Sequence, residues 1–378
     1  MRYNECMSVL RPMNFLSPTC PPAKAVASQG RVEWLDVLRT LACLSVVVLH
    51  VANQNWYITD FSVPGAWHNF SIFNFYESLV HWGVPIFVMI SGSLFLDKKV
   101  TVKKIWSHYI ARIALTFAVW TSVYALFDLF VRQYPIAQVW ENFFAGQPHM
   151  WYLFLIVGLY ASLPVLQPLI KSDKRDFLIK YFVGLSLVFG LGLIELINVL
   201  QLFGSPALTT FQYINYRFCF YLVCGYTGYF LLGYYLTRAQ LSANARRSFY
   251  ALGVVGAVAT TGWSWLSAYV LGQPVNIFFE NLTLNVWAMS VGIFVWVRYH
   301  AANWPCQLRQ ALVWIAPYTL GIYLVHPLVV YGLYRLGIHT FWLDPWLSVP
   351  VNSIMVVSIS LLVTMLVRSV PKIGKLIA

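Results

Sequence analysis

The chain has 378 residues, of which 59% are apolar and only 10% charged, with a net charge of +12 and a mean hydropathy of +0.66. Soluble domains carry about 25% charged residues, so this composition excludes a water-soluble globular protein and predicts an all-α, polytopic membrane protein. The excess of basic residues does not indicate a nucleic-acid partner, because it collects in the loops of one side.

Residues 1–32 are polar and proline-rich and lack the apolar core of a signal peptide. They read as a disordered cytoplasmic tail. Ten apolar runs follow, each near the roughly 20 residues that a bilayer requires. They cover 34–53, 77–96, 108–131, 151–170, 179–200, 217–236, 249–271, 279–298, 312–334 and 346–367. With the N-terminus inside, 21 of the 25 Lys and Arg residues fall in inner segments. Arg132, Arg217 and Arg335 fall outside, and Arg39 lies within the first run. This alternation follows the positive-inside rule. It predicts a unit of about ten transmembrane helices over 33–368, both termini cytoplasmic, and a short basic tail at 369–378. The six cysteines show neither disulfide nor metal spacing, and no metal site is expected. Segments 54–76 and 132–150 are too polar to span and aromatic enough to lie on the interface. Sugar stacking and plain interfacial anchoring both account for those rings.

Within the first run, Arg39 and His50 are eleven residues apart. At about 100° and 1.5 Å per residue they share one helix face, roughly 16 Å apart along the axis. A cation and an imidazole in lipid are costly unless their face looks into protein or water. A snorkelling Arg and a satisfied core His would explain either residue alone, whereas the aligned pair points to a working face. Histidine is suited to proton transfer near neutral pH, and Asp36, one turn before Arg39, is placed to fix the guanidinium.

The second run ends in the small-residue patch Ser91-Gly92-Ser93, which admits either a neighbouring helix or a ligand. Next come Lys98, Lys99, Lys103, Lys104, His108 and Arg112, the densest basic segment. Arg112 enters the third run, where a guanidinium suits the phosphates of a nucleotide-bearing donor. The fourth run opens with Trp151-Tyr152-Leu153. Glu195 is an intramembrane carboxylate, with Arg217 as its candidate counter-ion. The ninth run reads PYTLGIYLVHP and carries Tyr318, Tyr323 and His326. Pro327 deprives the Tyr323 carbonyl of its helical donor, which suggests a pocket wall. Two function classes fit these residues. One is an enzyme joining substrates from opposite sides of the bilayer; the other is a transporter of a glycan or acyl carrier, using His and Arg as relay or ligands.

Several motifs resemble the acyltransferase 3 family of integral-membrane acyltransferases. They are L-D-x-L-R-x-x-A followed by a His (Leu35, Asp36, Leu38, Arg39, Ala42, His50), V-P-I-F-V-M-I-S-G-S-L-F-L at 84–96, Trp151-Tyr152-Leu153, and Y-T-L-G-I-Y-L-V-H-P at 318–327. The similarity runs from about residue 33 to 368 and looks closest to the subgroup that includes the enterobacterial common antigen O-acetyltransferase. The resemblance implies a multi-pass protein of the bacterial inner membrane. It implies transfer of an acyl group, commonly acetyl from cytoplasmic acetyl-CoA as co-substrate, to a hydroxyl of a cell-envelope glycan or lipid-linked sugar. His50 is then the essential catalytic histidine, Arg39 its motif partner, and Arg112 the basic residue near the donor. One departure is that Tyr109 stands where members often carry the first Arg of R-x-x-R, with His108 and Lys104 nearby.

On this reading the donor arm passes Lys104, His108, Arg112, Ser91 and Gly92, and Arg39 steadies either the donor or the oxyanion. Asp36, Trp151, Tyr152, Glu195, Arg217, Tyr323 and His326 support the site and the acceptor pocket. Direct attack and an acyl-histidine intermediate both remain open.

Overall fold

The computed structural model describes residues 32–371 and 374–378; the N-terminal tail expected over 1–32 lies almost wholly outside them. In chain order the helices are α1 (Glu33–Trp56), α2 (Ala66–Ser78), α3 (Gly83–Phe95), the single turn α4 (Val102–Lys104), α5 (Ala111–Phe127) and α6 (Ile136–Ala145). Then come α7 (Trp151–Ala161), α8 (Leu163–Lys171), α9 (Arg175–Leu185), α10 (Leu193–Leu202), α11 (Leu208–Phe218) and α12 (Phe220–Arg238). The last are α13 (Ala243–Leu271), α14 (Leu284–His300), α15 (Cys306–Ile315), α16 (Thr319–Arg335), α17 (Pro345–Ser369) and the short α18 (Gly374–Ile377). The described residues contain no strand. A bilayer leaves backbone polar groups no partner but the helix itself, and the composition obeys that rule.

The ten apolar runs are largely helical, although 77–96 is broken by a turn at 79–82 and the helix of 279–298 begins only at Leu284. Among the described residues, seven helical stretches are long and apolar enough to cross a bilayer. An eighth is the pair Ile136–Ala161 and Leu163–Lys171, bent by 53°. The bend falls where Pro164, in the first turn of α8, offers no backbone N–H. α12 and α14 have 19 and 17 residues and fall outside that set. α14 buries Val286, Val291, Phe294, Val295 and Val297 among its neighbours, so protein replaces lipid over much of its surface.

Two loops are more ordered than their composition suggests. The second half of 54–76 is α2, which begins after Gly65 turns the chain at φ +81° and leads into α3. Segment 132–150 contains α6, which exposes Ile136, Trp140 and Phe144, as an interfacial helix does. Arg132, one of the three arginines on the sparsely charged face, is explained by a partner. It lies 2.9 Å from the fully buried Asp128, which also accepts from Asn142 and Gln147 at 2.9 and 2.8 Å.

α3 crosses α12 backbone to backbone. A Cβ on Gly92 would lie 1.8 Å from the Phe230 carbonyl oxygen, and one on Gly233 would lie 2.2 Å from that of Met89. Ser93 ties the crossing by donating to the Gly233 carbonyl at 2.9 Å and sharing a hydrogen bond with Thr237 at 2.8 Å. Of the two uses open to the Ser91-Gly92-Ser93 patch, Gly92 and Ser93 therefore serve helix packing. The described part of the basic tail at 369–378 does not hang free. Arg112 donates to the Lys375 and Leu376 carbonyls at 2.8 and 3.3 Å, Thr116 to Leu376 at 3.0 Å, and Trp120 to Ile377 at 2.8 Å. Carbonyls without helical donors need such partners.

Candidate active site

α1 is continuous from Glu33 to Trp56, so the register that aligns Arg39 with His50 is realised. Each of the two residues sits in a distinct setting.

At the lysine-rich end, the Arg39 guanidinium lies 3.6 Å from the carboxylate of buried Asp36. Lys98, in the loop after α3, lays its ammonium 4.0 Å over the Phe95 ring and 5.8 Å from Tyr109. Desolvation there, reinforced by the charges of Lys104 and Arg39, holds Lys98 below the usual lysine range. Tyr152 and Tyr160, two turns apart on α7, lie near Ser91 and in the field of Arg39. Arg39, Lys98 and Lys104 thus form a basic cluster near the tyrosine hydroxyls, a setting that suits phosphates and polar amides.

At the other end, three imidazoles from distant parts of the chain converge. The His50 ring is centred 5.0 Å from that of His326, and His149 meets His326 edge-on at 5.7 Å. Fully buried His326 bonds through Nδ1 to the Ile322 carbonyl at 3.2 Å. A carbonyl only accepts, so Nδ1 carries the hydrogen and Nε2 of the neutral ring is left as a lone-pair acceptor. That nitrogen has no partner, nor does Nε2 of His149. The Tyr323 hydroxyl donates to the His149 carbonyl and pins the turn before α7 against α16. A cleft of about 340 Å³ reaches His50 past Gln54, Asn55, Arg132, Pro327, Tyr331 and Tyr334. Pro327 does form a wall. Between the two ends the rings continue, with Tyr152 centred 6.1 Å from Tyr323, and Tyr323 6.2 Å from His326.

The sequence model of an acyltransferase domain, that of the acyltransferase 3 family, matches residues 32–365. The chain belongs to the acyltransferase 3 family. It is a multi-pass membrane acyltransferase. Neither a curated protein nor a solved structure matches it.

The remaining residues singled out in the acyltransferase sequence divide between site and scaffold. Asp36, Ser91, Tyr152, Tyr323 and His326 sit with Arg39 or His50, as described above. Trp151 is half exposed and packs on Tyr226 at 5.9 Å, a ring contact beside the site. The charge of Lys104 acts on Lys98, and exposed His108 lies 5.2 Å from Tyr109. Arg112 is exposed, and its guanidinium is engaged by the chain's own 375–376 carbonyls. Glu195 and Arg217 do not pair. The Glu195 carboxylate accepts from the Leu284 N–H at 3.2 Å, capping α14 where the helix N-terminus attracts negative charge. Exposed Arg217 bonds Tyr213 on its own helix α11.

Sequence reasoning passed over Lys98, His149 and Tyr160 as site residues. His149 stands next to an aromatic motif in a polar segment, and nothing local marks it as facing α16. Among the described residues, no group of three or more His, Cys, Asp or Glu side chains is arranged to hold a metal ion.

Proposed function

We propose that this acyltransferase moves an acetyl group from cytoplasmic acetyl-CoA to a hydroxyl of a cell-envelope glycan or lipid-linked sugar in the bacterial inner membrane. The observation that carries the reading is α1 itself. One continuous helix bears a cation in a basic cluster and, roughly 16 Å further along the same face, an imidazole that lines a cleft at the helix's other end.

The donor's phosphates meet Arg39, Lys98 and Lys104, and the extended thioester arm follows Tyr152 and Tyr323 toward His50. The acceptor enters through the cleft beside Arg132 and Tyr331. His50 takes the proton of the acceptor hydroxyl as its oxygen attacks the thioester carbonyl. The new C–O bond forms, the C–S bond breaks, and the departing thiolate recovers the proton from His50. Arg39 is too distant from His50 to meet the oxyanion, which supports assigning it to the donor. In that role it acts by positioning.

The test uses purified protein in vesicles, with acetyl-labelled acetyl-CoA on the lysine-rich side and envelope polysaccharide from the host bacterium on the other. Wild type is expected to place label covalently on the polysaccharide. His50→Ala is expected to lower that rate on the order of 10²–10⁴-fold, with protein yield and melting temperature unchanged. Full transfer by His50→Ala would remove the residue from the chemistry, and movement of unmodified sugar would indicate a transporter.

A further inference from the structure

Beyond the cleft and the basic cluster, a buried carboxylate–imidazole pair lies against α1 one turn past His50. Asn53, one turn past His50, donates to Glu77 Oε1 at 2.9 Å. Glu77, near the end of α2, is 1% exposed, and its Oε2 has no partner. His81, in the break between α2 and α3, holds Nε2 3.6 Å from Glu77 Oε1 and stacks on Phe279 at 4.3 Å. Nothing in the packing of α2 calls for a carboxylate here, and burying one is costly unless donors surround it.

The titratable and charged groups around His50 make the location informative. His326 faces it from α16, His149 from the turn before α7, His81 from the α2–α3 break, and Arg132 from the cleft. All are imidazoles or a cation, so none welcomes a proton arriving on His50. Glu77 is the buried carboxylate tied to this face, through the Asn53 amide and the His81 ring.

We infer that Glu77 and His81 are a positioning pair for His50, the carboxylate countering the charge that His50 gains when it takes the acceptor's proton. The inference rests on the reading of His50 as the base. The proton passes from the hydroxyl to His50 and on to the thiolate; Glu77, tied to α1 through Asn53 and to His81, acts on His50 by its charge and exchanges no proton with substrate.

Steady-state kinetics of the full chain in vesicles, with acetyl-CoA and envelope polysaccharide from the host bacterium, decide it. Glu77→Gln keeps the shape and removes the charge. It is expected to lower kcat on the order of 10–100-fold, by analogy with the cost of removing the carboxylate behind a metal-bound histidine, with the acetyl-CoA KM within about threefold. Glu77→Asp restores most of kcat, and His81→Gln reproduces the loss. Wild-type kcat in Glu77→Gln would overturn the pair, as would equal losses in Glu77→Gln and Glu77→Asp that track a lowered melting temperature. An inactive His50→Ala beside a fully active Glu77→Gln sinks the pair alone. A fully active His50→Ala sinks the base assignment and the pair together.

Discussion

The two ends of α1 solve opposite problems with the same backbone. At the lysine-rich end charge is abundant and partly hydrated: Arg39 keeps 31% of its side-chain exposure, and Lys98 and Lys104 stand in solvent. Water screens their mutual repulsion, so this end can hold a multiply charged ligand without refolding around it. At the other end imidazoles pack ring against ring, and His326 is fully buried. There a single proton is a large perturbation, because little solvent is present to dampen it. On the proposed function, binding falls where electrostatics are soft and proton transfer where they are hard.

That contrast can be broken experimentally. The largest effect expected at the lysine-rich end is from Arg39→Gln. Loss of a charged hydrogen bond to phosphate, about 1.5–3 kcal/mol, raises the acetyl-CoA KM roughly 10–100-fold with a smaller change in kcat. An equal fall in kcat at saturating donor would place Arg39 in the chemistry and erase the distinction between the ends. A smaller effect concerns pH. Lys98 loses its proton earlier than an ordinary lysine, so donor affinity should weaken as pH rises through that lowered range. A change of about threefold in KM suits a partly solvated charge, and Lys98→Arg should flatten the profile. The smallest effect is from Glu195→Gln. Loss of charge at the α14 N-terminus costs about 0.5–1 kcal/mol, visible as a slightly lower melting temperature with kcat and KM unchanged. A selective fall in kcat would return Glu195 to the active site.

Features carried by local periodicity were legible in the sequence, and features created by meeting of distant segments were not. The shared face of Arg39 and His50 and the Asp36 contact follow from helix geometry within one element. The meeting of His50 with His326 and His149 spans much of the chain, and no spacing rule connects them. Gly92 illustrates the opposite difficulty: a small residue invites any close approach, and only the position of Phe230 shows that a helix has taken the space. Glu195 was ambiguous for a related reason, because an intramembrane carboxylate can serve a helix terminus as readily as a substrate. The aromatic 54–76 segment was read from its polarity as a surface stretch. α2 forms there because Asn74 finds partners inside the bundle, accepting from Ser264 at 2.6 Å and donating to the Thr261 carbonyl at 3.2 Å.

The unbroken course of α1 from Glu33 to Trp56 has a consequence for the donor in the proposed reaction. A rod of fixed length acts as a calliper, accepting carriers whose handle and reactive carbon are spaced to match its two stations. A truncated thioester such as S-acetyl-N-acetylcysteamine has the reactive carbon but no handle, so it should be a poor donor even at high concentration. On the same reading, acyl chains of different length would extend past the second station and be sorted by the dimensions of the cleft around His50 rather than by the helix.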